Sequence, residues 1–515
     1  DTTITNAFES NLTTRGTGSN MGASDVVEIF SIYAQETSSS VELSRALLQF
    51  PINTISTHRS QGTIPASGSV KFYLRLYNAK HAFTLPRDFY LTVQAVSRSW
   101  EEGTGLDMEE YSDLTYDSAG ANWDRVGSAS AWSSPGGDYH LNTYSAGTVN
   151  GPFPQHDISF DTGVEDVDLN ITAMVEEWIA GTQPNYGLCV KLTSSQEGYV
   201  NDNRSTKGKV ALVQNVTGAT RSYFTKKFFS RSSEFFFKRP IIEARWNSAT
   251  KDDRGNFYYS SSLANGEDNL NTLYFYNYVR GRLKNIPDIG TGKIYLSLYS
   301  GSTVPGGPQL KLSKGGDVAA AANLNATGGY VSTGIYSASI AITAAASPAD
   351  PFPRLFDVWK SVEGAGLPTQ YHTGTVIPKS LKASSYNPTA KHVTSIMNLR
   401  PKYDKDEKAR FRLFVREKDW TPNIYNRATT TLQNTMIDSA SYQIRRVADD
   451  LKVISYGTAS QTMHTQLSFD VTGNYFDLEM SLLEPGYSYA ISFAYYNGSI
   501  GAWVEQGETF KFRVE

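Results

Sequence analysis

Residues 166–192 read DVDLNITAMVEEWIAGTQPNYGLCVKL, and this order of residue types predicts a strand, a helix, a turn and a second strand. Polar and apolar residues alternate up to Asn170, whose side-chain oxygen stands where it can cap the following helix. Apolar residues then recur at the spacing of one helix face, and they are Ile171, Met174, Val175, Trp178 and Ile179. Gly181 suits the left-handed cap position at the end of this helix, and Pro184 prevents the helix from continuing. We therefore expect a helix over residues 171–180, with Trp178 in the core, and a buried strand over residues 188–192.

Alternating apolar residues predict further strands on both sides of this stretch. Residues 45–50 and 89–95 fit a strand, and residues 70–77 alternate strictly. In this last strand we expect four residues to face inward, namely Val70, Phe72, Leu74 and Leu76. The intervening residues Lys71, Tyr73, Arg75 and Tyr77 are expected to face outward.

The order of these elements resembles the DNRLRE family of β-sandwich modules. The stretch SRALLQF at residues 44–50 is similar to the early motif strand of that family, and VKFYLRLY at residues 70–77 to a second one. The stretches FSRSSE at residues 229–234 and RPIIE at residues 239–243 are similar to its closing pair. The resemblance covers about residues 1–247 and implies a jelly-roll-like β-sandwich with one short helix. The motif strand carries Arg45 without an acidic neighbour, so the resemblance implies no binding property.

A chain of 515 residues is too long for one hydrophobic core. We expect an all-β protein of three serial β-sandwich domains, at residues 1–247, 248–400 and 401–515. The polar residues 246–255 mark the first boundary, and residues 386–402, with Pro388 and Pro401, mark the second. Residues 313–329 are rich in Gly, Ala and Asn and predict a loop. Residues 401–515 contain about seven alternating strands, which is typical of an immunoglobulin-like sandwich. Their expected inward residues are Phe411, Leu413, Val415, Phe476, Leu478, Met480, Leu482, Tyr487, Tyr489, Ile491, Phe493, Tyr495, Phe510, Phe512 and Val514.

Composition and charge narrow the function classes. Aromatic residues make up 12% of the chain, which favours β-sheets. The formal net charge is −4, which does not favour a nucleic-acid partner. Cys189 is the single cysteine, so an internal disulfide or a multi-cysteine metal site is excluded. We expect Cys189 to fill a buried strand. No run approaches the roughly 20 apolar residues of a membrane span, and a membrane partner is not expected.

The residue patterns predict no catalytic, cofactor or metal site. The seven histidines are scattered, and the Gly-x-Gly pairs lack the third glycine of a dinucleotide loop. Acidic residues near Glu101 and Glu102 have two interpretations, a glycosidase carboxylate pair or a solvated loop, and the loop is the commoner cause. The oxygen-rich residues 201–203, and Asp157 with Asp161, suit either calcium or turn chemistry, of which turns are favoured.

The basic and aromatic run at residues 223–239 also has two interpretations. Cations interleaved with rings suit single-stranded nucleic acid. The favoured alternative is a pair of strands whose phenylalanines face a core and whose lysines and arginines cover an exposed face.

The long irregular segment at residues 101–154 is the candidate interface. A long loop of this kind in a β domain is usually functional. We expect Trp123, Trp132 and Tyr139 to be its aromatic anchors, either for neighbouring subunits or for a sugar. This expectation assumes that the segment lies outside any core.

The order of domains looks similar to structural proteins of tailed bacteriophages, particularly marine myoviruses. That resemblance implies a non-enzymatic virion component, such as a capsid decoration, neck, tail or baseplate protein, assembled in the host cytoplasm. Its partners would be other virion proteins and copies of itself. The alternative class is a bacterial surface or secreted carbohydrate-binding protein, and a third is a glycoside-active enzyme.

Overall fold

The structure is a computed structural model. In it the chain forms two compact units, residues 1–246 and 247–515. It describes residues 1–35, 40–80, 87–106, 120–128, 130–140, 144–145, 148–149, 155–201, 214–261, 264–316, 323–342, 352–361, 368–379, 391–418, 434–459 and 463–515. Strands dominate these residues, nearly all of them antiparallel, and two α-helices accompany them. The expected all-β, multi-sandwich fold is therefore confirmed, whereas the division into three domains stays a prediction.

Twelve strands and both α-helices belong to the first unit, within the described residues. The strands are β1 (Thr2–Thr5), β2 (Val26–Tyr33), β3 (Val41–Leu48), β4 (Lys71–Leu76), β5 (Phe89–Ala95), β6 (Tyr144–Ser145), β7 (Thr148–Val149), β8 (His156–Phe160), β9 (Val167–Asn170), β10 (Leu188–Leu192), β11 (Tyr223–Phe229) and β12 (Ile241–Arg245). The helices are α1 (Ile52–Ser60) and α2 (Thr172–Ala180). One sheet runs β11-β2-β3-β10-β5-β8 with β1 beside β3, and a smaller sheet runs β12-β4-β9.

The main core of the first unit brings together the larger sheet, the smaller sheet and α2. The four predicted inward residues of β4 are all buried there, as is Trp178 of α2. Helix α2 begins one residue later than predicted, because Ile171 is the N-cap residue. The Asn170 side chain accepts hydrogen bonds from Thr172 N and Oγ1, and Gly181 takes the left-handed cap at φ +70°.

Helix α1 is absent from the sequence prediction, since its residues Ile-Asn-Thr-Ile-Ser-Thr-His-Arg-Ser are weak helix formers. Tertiary contacts stabilise it instead. Ile52 is buried in the main core, and Arg59 pairs with Glu176 of α2 at 2.5 Å and 2.8 Å. Packing therefore overrides propensity in this segment.

The second face of residues 70–77 is not exposed, which corrects the prediction for three of the four residues expected to face outward. Tyr73, Arg75 and Tyr77 are buried. The Arg245 guanidinium lies 4.1 Å from the Tyr73 ring centre, and Arg75 Nη1 lies 3.1 Å from Glu243 Oε2. Charged side chains of the neighbouring strand thus cover this face of the sheet.

The second unit opens with a sheet that curls around its own core. Its strands are β13 (Asn271–Tyr276), β16 (Ile294–Ser300), β17 (Leu312–Ser313), β18 (Ala326–Ser332), β19 (Ile335–Ile342), β20 (Leu355–Lys360) and β21 (Gln370–Val376), with a separate hairpin of β14 (Tyr278–Val279) and β15 (Arg282–Leu283). The sheet order is β13-β19-β18-β16-β20-β21, with β17 beside β19. Phe275 of β13 stacks on His372 of β21 at 5.4 Å, so the two end strands of the sheet meet.

Two further sheets form a sandwich at the end of the chain. One consists of β22 (His392–Ile396), β24 (Lys408–Glu417), β28 (Gly473–Glu479) and β27 (Ser468–Asp470). The other consists of β23 (Lys402–Tyr403), β31 (Phe510–Val514), β29 (Ser488–Asn497), β25 (Ala440–Arg446) and β26 (Lys452–Ile454), with β30 (Ala502–Glu505) beside β29. Most of the predicted inward residues are buried between these sheets. Leu482 and Tyr487 are exceptions, because both are exposed.

Two predictions for the second unit require correction. Residues 326–329, predicted as part of a loop, form the start of β18, and residues 392–396 of the predicted connection form β22. Residues 317–322 and Pro388 lie outside the described residues.

Candidate interaction surfaces

The three predicted anchors lie inside the first unit instead of on its surface. Trp123 is 1% exposed, Trp132 is 5% exposed, and Tyr139 packs against the same cluster. This cluster covers the outer face of the larger sheet, where Leu47 and Cys189 point away from the main core. The expectation that this segment lies outside any core is therefore wrong, and the two tryptophan rings are closed to a docking partner.

Arg45, the arginine of the motif strand, holds the tryptophan segment against the sheet. Its Nε and Nη2 donate to Glu197 Oε1 and Oε2 at 2.9 Å and 3.0 Å, and its Nη1 donates to Gly136 O at 2.8 Å. The guanidinium carbon lies 5.1 Å from the Trp123 ring centre and 5.7 Å from that of Tyr139. Gly136 has φ +86°, and a Cβ there would lie 2.8 Å from Arg45 Nη1. The cluster therefore has a structural role that the sequence did not disclose.

The remaining polar groups of this cluster are also embedded. Lys191 Nζ lies 5.4 Å from the Tyr139 ring centre, and burial lowers the pKa of Lys191 while the Glu197 carboxylate raises it. Burial raises the pKa of Cys189, which keeps this thiol protonated and poorly nucleophilic. Its predicted role as a buried filler agrees with its zero exposure.

Glu102, one of the acidic residues weighed for catalysis, is held by ion pairs, whereas Asp107, Glu109, Glu110 and Asp113 lie outside the described residues. Glu102 pairs with the amino group of Asp1 and with Arg231 Nη2 at 2.6 Å. Asp157 accepts a hydrogen bond from Thr92 Oγ1 at 2.6 Å. Asp202 and Asn203 lie outside the described residues. Within the described ranges there is no group of three or more His, Cys, Asp or Glu residues placed to hold a metal ion. No α-helix in those ranges is long and apolar enough to cross a membrane.

An exposed aromatic surface follows β11. It lies within residues 223–239, the basic and aromatic run for which the sequence allows two interpretations. Phe235 is 49% exposed and Phe236 is 60% exposed, although the favoured interpretation placed phenylalanines of this run in a core. Lys226 shows the reverse behaviour, since it is 2% exposed. We call the four residues Phe235, Phe236, Lys238 and Arg239 the phenylalanine patch.

The side chains of the phenylalanine patch are held by cations and by each other. Lys238 Nζ lies 5.6 Å from the Phe235 ring centre, and the Arg239 guanidinium lies 5.4 Å from that of Phe236. Phe235 packs edge-on against Phe229 at 5.4 Å. A short 3-10 helix over Phe236–Lys238 fixes the backbone. The patch is thus a pre-ordered aromatic surface with two cations, and exposed rings of this kind are frequent at protein interfaces.

The second unit has an open cleft beside β29 and β30. It has a volume of 570 Å³, and its wall includes His392, Tyr495, Tyr496, Glu505 and Gln506. Tyr496 is 45% exposed, and the His392 ring meets Tyr495 edge-on at 5.8 Å. Burial lowers the pKa of His392, so this imidazole is neutral near pH 7. The cleft combines an exposed ring with amide and carboxylate groups, which is the residue set that sugar sites use.

Comparisons with known proteins leave the family open. No family model matches the chain, and no curated protein matches it. Among solved structures, a chimeric titin Z1Z2 aligns at 12% identity over 48% of this chain and 88% of its own, with a TM-score of 0.15. A DUF4785 family protein from Legionella pneumophila aligns at 9% identity over 95% of this chain and 89% of its own, with a TM-score of 0.14. Alpha-2-macroglobulin from Escherichia coli aligns at 9% identity over 87% of this chain and 20% of its own, with a TM-score of 0.15. Likenesses this weak carry no argument about function.

Proposed function

We propose that the chain is a non-enzymatic structural component of a tailed-bacteriophage virion that acts through protein–protein contacts. The phenylalanine patch is the observation that carries the contact role. Its two exposed rings are pre-ordered, so docking costs little side-chain entropy. Aromatic residues and arginine also supply much of the binding energy at protein–protein interfaces. The assignment to a phage particle rests on the resemblance of the domain order.

The partner is a neighbouring subunit of the particle that presents an apolar pocket edged by carboxylates. The rings of Phe235 and Phe236 require an apolar pocket, because the two residues are 49% and 60% exposed. Lys238 and Arg239 beside them favour acidic groups around it. In a symmetric particle every copy of the chain makes the same contact. The patch takes the place of Trp123, Trp132 and Tyr139 as the docking element.

The test is incorporation of a tagged chain into particles during infection. The wild-type chain should co-sediment with gradient-purified particles, and a Phe235→Ser, Phe236→Ser double variant should remain in the soluble fraction. An Ile500→Ser variant changes an exposed apolar residue at a turn of the second unit and is the matched control. Absence of the wild-type chain from particles would overturn the virion role, and normal incorporation of the double variant would overturn the patch.

The cleft beside β29 favours a second function, the binding of a host-surface glycan. A sugar ring could stack on the exposed face of Tyr496 while Gln506 and Glu505 supply hydrogen bonds to hydroxyl groups. A glycan array probed with the purified chain tests this alternative. Binding that Tyr496→Ala removes would support it, whereas no binding, or binding unaffected by Tyr496→Ala, would exclude this cleft.

A further inference from the structure

Residues 250–258 connect the two β cores of the second unit by backbone pairing on both sides. Asp252 N donates to Phe469 O at 3.1 Å and Phe469 N donates to Thr250 O at 3.0 Å, which adds this segment to β27 of the terminal sandwich. Further along, Lys379 N donates to Phe257 O at 2.7 Å, next to β21 of the curled sheet. We call residues 250–258 the clasp.

Close packing fixes the middle of the clasp. A Cβ on Gly255 would lie 2.7 Å from Met436 Cε and 3.0 Å from Val471 Cα, so the backbone here packs closely against the terminal sandwich. On the opposite side, Arg254 donates to both carboxylate oxygens of Asp357 at 2.6 Å and 2.8 Å. The clasp is therefore packed against the terminal sandwich at Gly255 and bonded to the curled sheet through the Arg254 side chain.

Two neighbouring carboxyl groups of the clasp lie between these cores. Asp253 Oδ2 accepts a hydrogen bond from Thr272 N of β13 at 2.6 Å, and Asp252 is 3% exposed. Asp438, which precedes β25, faces Asp253 and accepts a hydrogen bond from Asn256 Nδ2 at 3.4 Å. Each carboxyl group is thus held near another one in a partly dehydrated interface.

The charged and titratable groups around the two clasp carboxyls come from every element packed against them. Six act on the carboxyls directly, namely Lys251, Arg254, Tyr274, Tyr276, Asp357 and Asp438, and four more act on those six, namely His372, Lys379, Asp470 and Tyr475. The Arg254 guanidinium, which is bound to Asp357, also lowers the pKa of Asp252, and Lys251 lowers the pKa of both Asp253 and Asp438. Burial has the larger effect on the pKa of both clasp carboxyls, so these cations offset it only in part.

We propose that the clasp is a pH-sensitive latch, which joins the two β cores of the second unit when Asp253 and Asp252 are protonated and loosens as they ionise. Burial raises the pKa of Asp253 to about 7 and that of Asp252 to about 6, and for Asp253 the carboxylates of Asp438 and Asp252 raise the pKa further. In the open clasp both groups return to an ordinary pKa near 3.8. Opening thus releases protons, so the closed form is favoured below about pH 4 and progressively loses this advantage up to about pH 7.

Hydrogen exchange of the clasp in the full chain tests this latch. The protection of the Asp252 and Phe469 amides, corrected for the intrinsic pH dependence of exchange, should fall from pH 5 to pH 8. The fall is limited to about tenfold per pH unit for each proton released. Asp253→Asn keeps a neutral acceptor for Thr272 N and should reduce this dependence, and Asp252→Asn, Asp253→Asn should remove it. Asp268→Asn, at an exposed position of the same unit, is the control and should behave as the wild type.

Three measured results would each overturn the proposed latch. A wild-type clasp whose protection is constant from pH 5 to pH 8 would overturn the proposal, as would a double variant that keeps the wild-type dependence. If the double variant fails to fold, Asp438→Asn provides a second measurement, because it removes a repelling carboxylate. The midpoint of opening should then move to lower pH, and an unchanged midpoint would likewise overturn the latch.

Discussion

Arg45 and Glu197 form a two-hydrogen-bond ion pair beneath the Trp123 ring, although 152 positions separate them along the chain. Both residues are at most 8% exposed. A charge pair in such surroundings contributes little net stability as a pair, but loss of one member leaves the other charge dehydrated and uncompensated. The pair thus makes the outer cluster of the first unit sensitive to single substitutions.

Arg45→Met should therefore lower the free energy of unfolding by about 3–5 kcal/mol. The cause is the dehydrated Glu197 carboxylate that remains. Urea denaturation followed by tryptophan fluorescence measures the loss. Arg98→Met is the matched control, since the Arg98 side chain is 41% exposed and its contact with Asp138 is 3.8 Å long. It should change stability by at most about 1 kcal/mol. Equal losses in the two variants would contradict a buried role for the pair.

Deletion of residues 122–139 should prevent stable folding of the first unit. The segment contains Trp123 and Trp132, which fill the cluster on the outer face of the larger sheet. The single substitution Trp123→Ala should alone cost about 3–5 kcal/mol through the cavity it leaves. Circular dichroism and thermal melting of both variants check this. A deletion variant that melts like the wild type would restore the original expectation that the segment lies outside any core.

Trp178→Ala should likewise cost about 3–5 kcal/mol, because Trp178 is buried against the larger core of the first unit. Trp503→Ala is the comparison, since Trp503 is partly exposed on β30 and its ring lies 5.7 Å from that of Tyr496. We expect its cost to be clearly smaller in the same denaturation experiment. A Trp178→Ala variant as stable as Trp503→Ala would show that α2 does not anchor the core.

The spacing of neighbouring residues in the sequence was enough to predict the strands and the helix that short-range patterns determine. The alternation in β4 and β5, the helical stripe of α2 and its Gly181 cap are properties of neighbouring residues, and the structure has all of them. Helix α1 could not be predicted this way, since it is stabilised by burial of Ile52 in the main core and by the ion pair of Arg59 with distant Glu176.

The functional surfaces were harder to predict, for a related physical reason. Trp123 and Trp132 lie in a segment without periodicity, and they are buried by residues distant in the chain, such as Arg45 beside Trp123 and Leu47 and Cys189 of the larger sheet. In the run at residues 223–239, composition could not tell which phenylalanines face solvent. The edge position of β11 and the 3-10 turn after it decide that Phe236 is exposed.

Lys226 should give the first unit an alkaline pH dependence. Its Nζ donates to Asn78 Oδ1, Gly163 O and Glu165 O at 2.7 Å, 3.0 Å and 2.8 Å. The same atom lies 4.8 Å from the Phe160 ring centre. These contacts stabilise an ammonium, yet burial lowers the pKa of Lys226 from 10.5 to about 8. Between about pH 8 and 10.5 the unfolded chain therefore keeps a proton that the folded chain has released.

Stability contributed by Lys226 should consequently rise with pH across that interval, by at most about 1.4 kcal/mol per pH unit. The measurement is the difference in unfolding free energy between the wild type and Lys226→Met, taken by urea denaturation from pH 6 to pH 10. Because every other titrating group is common to both chains, their contributions largely cancel in this difference. We expect the difference to be constant from pH 6 to 7 and to move in favour of the wild type from pH 8 to 10. A difference that stays constant up to pH 10 would mean that Lys226 keeps an ordinary pKa and that its three oxygen acceptors fully offset its burial.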